Sequence, residues 1–336
     1  MVTFGILDYA QIDEGESAEQ ALQHTVELVQ LAESVGFKRF WVAEHHDVPA
    51  FASSSPELLM MRLLDATSRI RIGSGGVMIP HYSPYKVAEN FRMLEGFHPN
   101  RVDLGIGNTV GTPIVNQILN ETKSKNLPYE QSIQEVKAYL NDEIEETHRF
   151  HGIITNPTVA TTPELILLST SVRSANIAAK LGIGYTFGYF LLANENKYHV
   201  GRKAAETYRE SFQPSKVLER PNLSLALFVV IADTNEEANA YAEALDVWLL
   251  GKKRFKEFPQ FPSVTTARSY PYTEKVRTMI RKNRNRMVVG DSAEVKKQVD
   301  ELTEHFTADE VLFVPLLPNI AARKKAVQLL ADTFIR

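Results

Sequence analysis

The chain has 336 residues, 44% hydrophobic and 23% charged, with a formal net charge of −4. That suffices for two ordinary domains or one large α/β barrel, and the near-neutral balance argues against nucleic acid or a membrane surface as partner. The absence of Cys excludes disulfides, thiolate metal sites and a Cys nucleophile.

The opening MVTFGILDYAQIDEGES has no basic segment and turns acidic early, so it does not read as a signal peptide. Within it, residues 3–10 form a strand candidate. A helix follows, opened by the capping box Ser17-Ala-Glu-Gln20, carried by Leu22, Val26, Val29 and Ala32 at helical spacing, and stopped at Gly36. Strand 39–44 and helix 56–68 come next, then strand 70–79, a helix from Pro84, and strand 102–107. After an insertion over 108–164 with an amphipathic helix near 129–146, strand 165–169 leads into helix 174–182. Strand 184–190 precedes a helix within 194–212, and strand 223–232 precedes helix 235–250. The chain closes with helix 292–306, strand 311–317 and helix 319–334.

These are eight strands, apolar throughout and not alternating, as a parallel sheet buried on both faces requires. Eight βα units in this length favour a (β/α)8 barrel over an open doubly wound sheet. No Pro/Gly/Ser linker divides the chain, so residues 1–336 read as one domain with insertions after the fourth and seventh strands. The second, 251–286, holds eleven Lys or Arg against Glu257 and Glu274 only. Such a run is a solvated, mobile loop or a lid that attracts an anion. No apolar run approaches the roughly 20 residues that span a bilayer, and the expectation is a cytoplasmic protein.

A barrel carries its chemistry at the C-terminal ends of its strands. That rim gathers Asp8 and Tyr9, Glu44 and His45, His81 and Tyr82, Asn108, and residues 169–174. In FWVAEHHD (40–47), two adjacent imidazoles on a strand point to opposite faces and cannot easily share one ion. With no HExxH helix in the chain, no metal is expected. His45 is the functional candidate if Glu44 orients it, and His46 is read as hydrogen-bonded at a strand end. In LILLSTSVRSANIAAKLG (165–182), a strand passes directly into a helix. Its first-turn amides, the hydroxyls of Thr170, Ser171 and Ser174, and Arg173 make a phosphate cradle, although a Ser N-cap needs no ligand. Gly73, Gly75 and Gly76 interrupt IGSGGVMIP (72–80), which marks a barrel bend or a close ligand approach.

On FWVAEHHDVPAFASSSPELL, RIRIGSGGVMIPHYSPYKVAENFRMLEGFHPNRVDLGIGN, STSVRSANIAAKLG and VVGDSAEVKKQVDEL the chain resembles the bacterial luciferase-like flavin-dependent monooxygenases. The resemblance covers nearly the whole chain and is strongest to single-gene relatives of the luciferase catalytic subunit. It implies an FMN site at the rim, with His45 as the catalytic imidazole. It also implies a non-proline cis peptide at Gly75–Gly76, and phosphate held by Thr170, Ser171, Val172 and Ser174. Asn108 stands where many relatives carry a phosphate-binding Arg, a loss that Arg173 or the basic insertion would offset. Asp8, Tyr9, His81 and Tyr82 are expected to line the substrate pocket. The implied activity uses reduced FMN from a separate NAD(P)H:flavin reductase, and O2, through a C4a-peroxyflavin on a small organic substrate. A catalytically silent flavin-binding or stabilising subunit, a deazaflavin-dependent dehydrogenase of the same fold, and a metal-dependent barrel hydrolase are the alternatives. The resemblance further implies a homodimer paired through helices 56–68 and 84–97.

Overall fold

The computed structural model describes residues 2–124, 126–194 and 196–336. Its ten strands are β1 (Thr3–Asp8), β2 (Arg39–Val42), β3 (Arg71–Ser74), β4 (Val77–Met78), β5 (Val102–Gly107), β6 (Glu164–Ser169), β7 (Gly184–Gly188), β8 (Leu223–Ile231), β9 (Met287–Gly290) and β10 (Glu310–Val314). Eight of them pair in parallel in the order β1–β2–β3–β5–β6–β7–β8–β10, and β10 returns to β1, which closes the expected barrel. The helices are α1 (Ala18–Val35), α2 (Pro56–Asp65), α3 (Pro84–Phe97), α4 (Pro113–Leu119), α5 (Tyr129–Asn141), α6 (Val172–Leu181), α7 (Lys197–Glu210), α8 (Asn235–Trp248), α9 (Val264–Arg268), α10 (Glu274–Arg284), α11 (Ser292–Phe306) and α12 (Ile320–Phe334). The Ser17 capping box and the left-handed Gly36 bound α1 as its sequence signals.

The barrel floor is ionic. Arg39, on β2, donates from Nη1 to Asp103 at 2.6 Å and from Nε to Glu310 at 2.8 Å, and all three side chains are buried. Buried charges persist only when paired in this way. Trp41, two residues on, fills the next layer and donates its indole N–H to Asp103 at 2.9 Å. A Cβ on Gly73 would lie 2.4 Å from that indole nitrogen, so glycine at 73 is what admits the tryptophan. The lower end is therefore packed.

Two expectations change. The single strand 70–79 is broken at a cis Gly75–Gly76 peptide into β3 and β4. The second insertion is folded onto the barrel: α9 and α10 pack beside α8, and Arg268 and Arg284 pair with its Glu243 and Asp246. The insertion ends in β9, which pairs with the upper half of β8, beyond the barrel proper. Among the described residues, no helix is long and apolar enough to cross a membrane.

Candidate active site

Inward-facing side chains alternate along β1, so Leu7 points into the barrel under Gly75 and Tyr9 stands one pleat above it. The Tyr9 ring lies 4.6 Å from His45 and 5.1 Å from Phe51 between centroids; Phe190 and Phe228 follow at 6.5 and 6.4 Å. Trp248 backs Phe51 at 4.9 Å. The result is an aromatic wall around one imidazole. His45 donates its backbone N–H to the Ser53 carbonyl at 2.8 Å, and its Nδ1 is buried without a partner among the described residues. Burial, and to a smaller extent His46, hold its pKa down at about 4, so the ring is neutral at ordinary pH. Burial likewise pushes the Tyr9 phenol well above its usual range.

Glu44 does not orient His45. Its Oε1 accepts from His46 Nε2 at 2.7 Å and from the Tyr82 hydroxyl at 2.5 Å, while Oε2 accepts the Met78 amide at 2.8 Å. Three donors fix this buried carboxylate, which ties the loop after β2 to the segment after β4. Glu44 thus holds Tyr82, His46 and the Met78 amide in one hydrogen-bond network. Asp8 is also placed differently from expectation. It turns away from the barrel, where Oδ2 accepts from Thr25 of α1 at 2.7 Å and from the Ala10 amide at 2.9 Å. The His81 Nδ1 bonds the Asn120 amide at 2.9 Å, and its ring stands 6.3 Å from that of Tyr82. A 450 Å3 cavity lined by Tyr82, Tyr85, Tyr139, Glu135 and Arg149 opens beside the first insertion and includes neither His45 nor Tyr9.

The glycine stretch is explained by packing. A Cβ on Gly75 would meet Leu7 at 2.5 Å, and one on Gly76 would meet the Gly105 backbone at 2.8 Å. Gly76 is nonetheless partly exposed at the rim. On the neighbouring rim, Ser171 caps α6 by accepting the Ser174 amide at 3.1 Å, and its hydroxyl donates to Ser174 Oγ at 3.0 Å. The amides of Val172 and Arg173 are first-turn donors that an α-helix cannot itself satisfy. Thr170 is half-buried and Arg173 exposed at the same turn. Tyr129 of α5 adds a buried hydroxyl with no hydrogen-bond partner among the described residues; burial pushes it up to about 12, and nearby Ser174 acts in the opposite sense. Asn108 follows β5 and is exposed.

The sequence did not single out Phe51, Phe190, Phe228, Trp248, Tyr129, Lys197 or Arg286. Only the folded rim brings them together. Lys197 is fully buried, and its Nζ lies 3.8 Å from the Tyr189 ring centroid. Arg286 donates through Nε to the Phe190 carbonyl at 2.6 Å and stands 5.7 Å over Phe228. Among the described residues, the one grouping with metal-ligand spacing is Asp13, Glu16 and His24; there Asp13 is already committed to Arg323 at 2.5 Å and the Asn319 amide at 3.1 Å.

Residues 2–309 match the family described as Luciferase-like monooxygenase. YceB of Bacillus subtilis (strain 168) is 40% identical over 337 residues, covering 100% of both chains. N-acetyl-S-alkylcysteine monooxygenase from the same organism is 34% identical over 343 residues, covering 100% of this chain and 99% of that one. The crystal structure of apo-MsnO8 superposes with a TM-score of 0.86 at 30% identity, over 99% of this chain and 98% of that chain.

Proposed function

The chain belongs to the luciferase-like monooxygenase family, and from that premise we propose that it is the oxygenating component of a two-component FMN system. In this reading, reduced FMN comes from a separate NAD(P)H:flavin reductase, and the substrate is a small organic molecule. The observation that carries it is the pairing, on one rim, of a hydroxyl-and-amide turn suited to a phosphate with a neutral imidazole in an aromatic enclosure, its Nδ1 without a partner among the described residues.

The residues fit the cofactor. Thr170, Ser171, Ser174, the orphan Tyr129 hydroxyl and the first-turn amides of α6 would take the phosphate, and Arg173 offers the cation that Asn108 does not. Bound reduced flavin supplies two electrons and a site for activating O2. The protein's own part is to exclude water and manage one proton. Tyr9, Phe51, Phe190, Phe228 and Trp248 form the dry wall. His45 Nδ1 holds or accepts a proton there, which its depressed pKa keeps available. Glu44 keeps Tyr82 and the Met78 backbone in register beside it. Dimerisation through α2 and α3 completes the reading.

The test is anaerobic titration with reduced FMN, followed by mixing with oxygenated buffer. Wild type should bind reduced FMN. Thr170→Ala should weaken FMN about tenfold, the worth of one charged hydrogen bond, and leave riboflavin binding unchanged. His45→Ala should keep the affinity and release the consumed O2 as hydrogen peroxide. Failure to bind FMN in either redox state would sink the proposal in favour of a deazaflavin enzyme or a silent subunit.

A further inference from the structure

Two cations stand together on the rim with no counter-charge among the described residues. Lys197, at the start of α7, has no exposed surface, and its ammonium has no hydrogen-bond partner among the described residues. It rests on the faces of Tyr189 and Tyr198, at 3.8 and 5.2 Å from their centroids. Arg286, just before β9, spends Nε on the Phe190 carbonyl. Arg286 is half-buried, and neither cation forms an ion pair with any described carboxylate, whereas the other buried basic side chains, Arg39, Arg92 and Arg323, each do. Burial, reinforced by the Arg286 charge, holds the Lys197 ammonium down at about 8, and burial lowers Arg286 as well.

Burying one unpaired cation is costly, and placing a second beside it adds repulsion. Cation–π contact offsets about 2 kcal/mol at best. A fold that keeps both has an anion to put there. The wall identifies which kind: Arg286 lies over Phe228, Phe190 packs 4.9 Å from Phe228, and both lead to Tyr9 and then His45. The phosphate cradle is a separate structure, on the turn between β6 and α6.

We infer that Arg286 and Lys197 form a carboxylate-binding subsite for the organic substrate, whose apolar part runs along Phe190, Phe228 and Tyr9 toward His45. With Nε occupied, the two terminal nitrogens of Arg286 remain as a fork that matches the two oxygens of a carboxylate. Lys197 adds a point charge behind it. The substrate class is therefore a small organic acid with an apolar arm, an inference that rests on the monooxygenase reading above.

The test compares acids with their amides. Octanoate, 3-phenylpropanoate and N-acetyl-S-benzylcysteine, and the corresponding primary amides, are titrated calorimetrically into the protein with and without FMN. Wild type should bind at least one acid tenfold or more tighter than its amide. Arg286→Gln should remove that preference, Arg286→Lys should restore part of it, and FMN affinity should stay within twofold throughout. Lys197→Met should also weaken acid binding and raise the melting temperature, because the cation is held against its own solvation. Equal binding of acid and amide by wild type across the panel would overturn the subsite. So would a tenfold loss of FMN affinity in Arg286→Gln with riboflavin affinity intact, which would assign the pair to the cofactor phosphate. Because acid binding is read without turnover, failure of oxygenation alone would strike the monooxygenase reading and leave this one standing.

Discussion

A histidine enclosed by Tyr9 and Phe51 holds its proton less readily than one in water, and that difference is measurable as stability. The folded pKa of His45, about 4, lies below the unfolded value of about 6.5. Between the two, the unfolded chain binds more protons, so stability rises with pH through this window and falls as the pH drops from 6.5 toward 4. Allowing for partial exposure of the ring, the contribution is about 1–3 kcal/mol. Urea midpoints of wild type and His45→Gln at pH 7.5 and 4.5 check this. The wild type should lose more on acidification than the variant, and equal losses would mean that the ring is solvated. Strand alternation also explains one misplacement at this scale. Neighbours along a strand direction face opposite ways, so Asp8 and Tyr9 never shared a pocket; Glu44 and His46 pair within the loop that follows β2, where no strand period applies. That rule was available in the sequence. The Lys197–Arg286 juxtaposition was not, because one looks like any helical lysine and the other sits inside a run of surface charge.

The elements that could be read are those whose own residues dictate them. Apolar strands and capped helices repeat eight times, and the Ser17 box and Ser171 cap form where the side chains say they should. β9 escaped because four residues following a basic run carry no period, and only the overlong β8 gives them a partner. The second insertion escaped for a related reason: its charge suggested solvent, but its anchor is apolar. Phe261 is 1% exposed, and its backbone bonds Ile12 and Glu14 at 2.7 and 3.0 Å, pinning the segment across the loop after β1. The ion pair from Lys256 to Asp47 lies on the surface. Emptying the Phe261 site should cost about 3–5 kcal/mol if the whole barrel felt it, whereas a surface pair is worth about 1 kcal/mol at most. α9, α10 and β9 hold the C-terminal part of the insertion against α8 and β8, so Phe261→Ala should open only its N-terminal part, before α9. Trypsin should then cut at Lys252–Lys256 much faster than in wild type, while Lys256→Ala should hardly change the urea midpoint. Resistance of Phe261→Ala to trypsin would show that α9 and α10 hold the segment unaided.

At the scale of the whole molecule, α2 and α3 present an apolar face that the barrel does not cover: Leu58, Met93 and Phe97 are 77%, 52% and 67% exposed. Between these helices runs a groove of about 600 Å3, with His81 and Tyr82 at one end. Tyr82 is the hydroxyl that bonds Glu44, so whatever covers this face also closes the outer side of the Glu44 network. A second copy of the chain is the proposed cover. Burying an aliphatic side chain of this size contributes about 1.5–3 kcal/mol, and a two-fold contact repeats each gain on both subunits. Leu58→Glu combined with Met93→Glu should therefore separate the subunits, since two carboxylates per copy would enter the contact without partners. Light scattering should report half the wild-type mass at micromolar concentration. The helices themselves should survive, because both positions are solvent-facing in the isolated chain. If the barrel rim depends on that cover, the separated variant should bind FMN through the intact α6 turn but consume O2 with greater release of hydrogen peroxide. A wild type that already runs as a monomer would remove the dimer from the proposal and leave the exposed face for a different partner, of which the flavin reductase is the first to test by cross-titration.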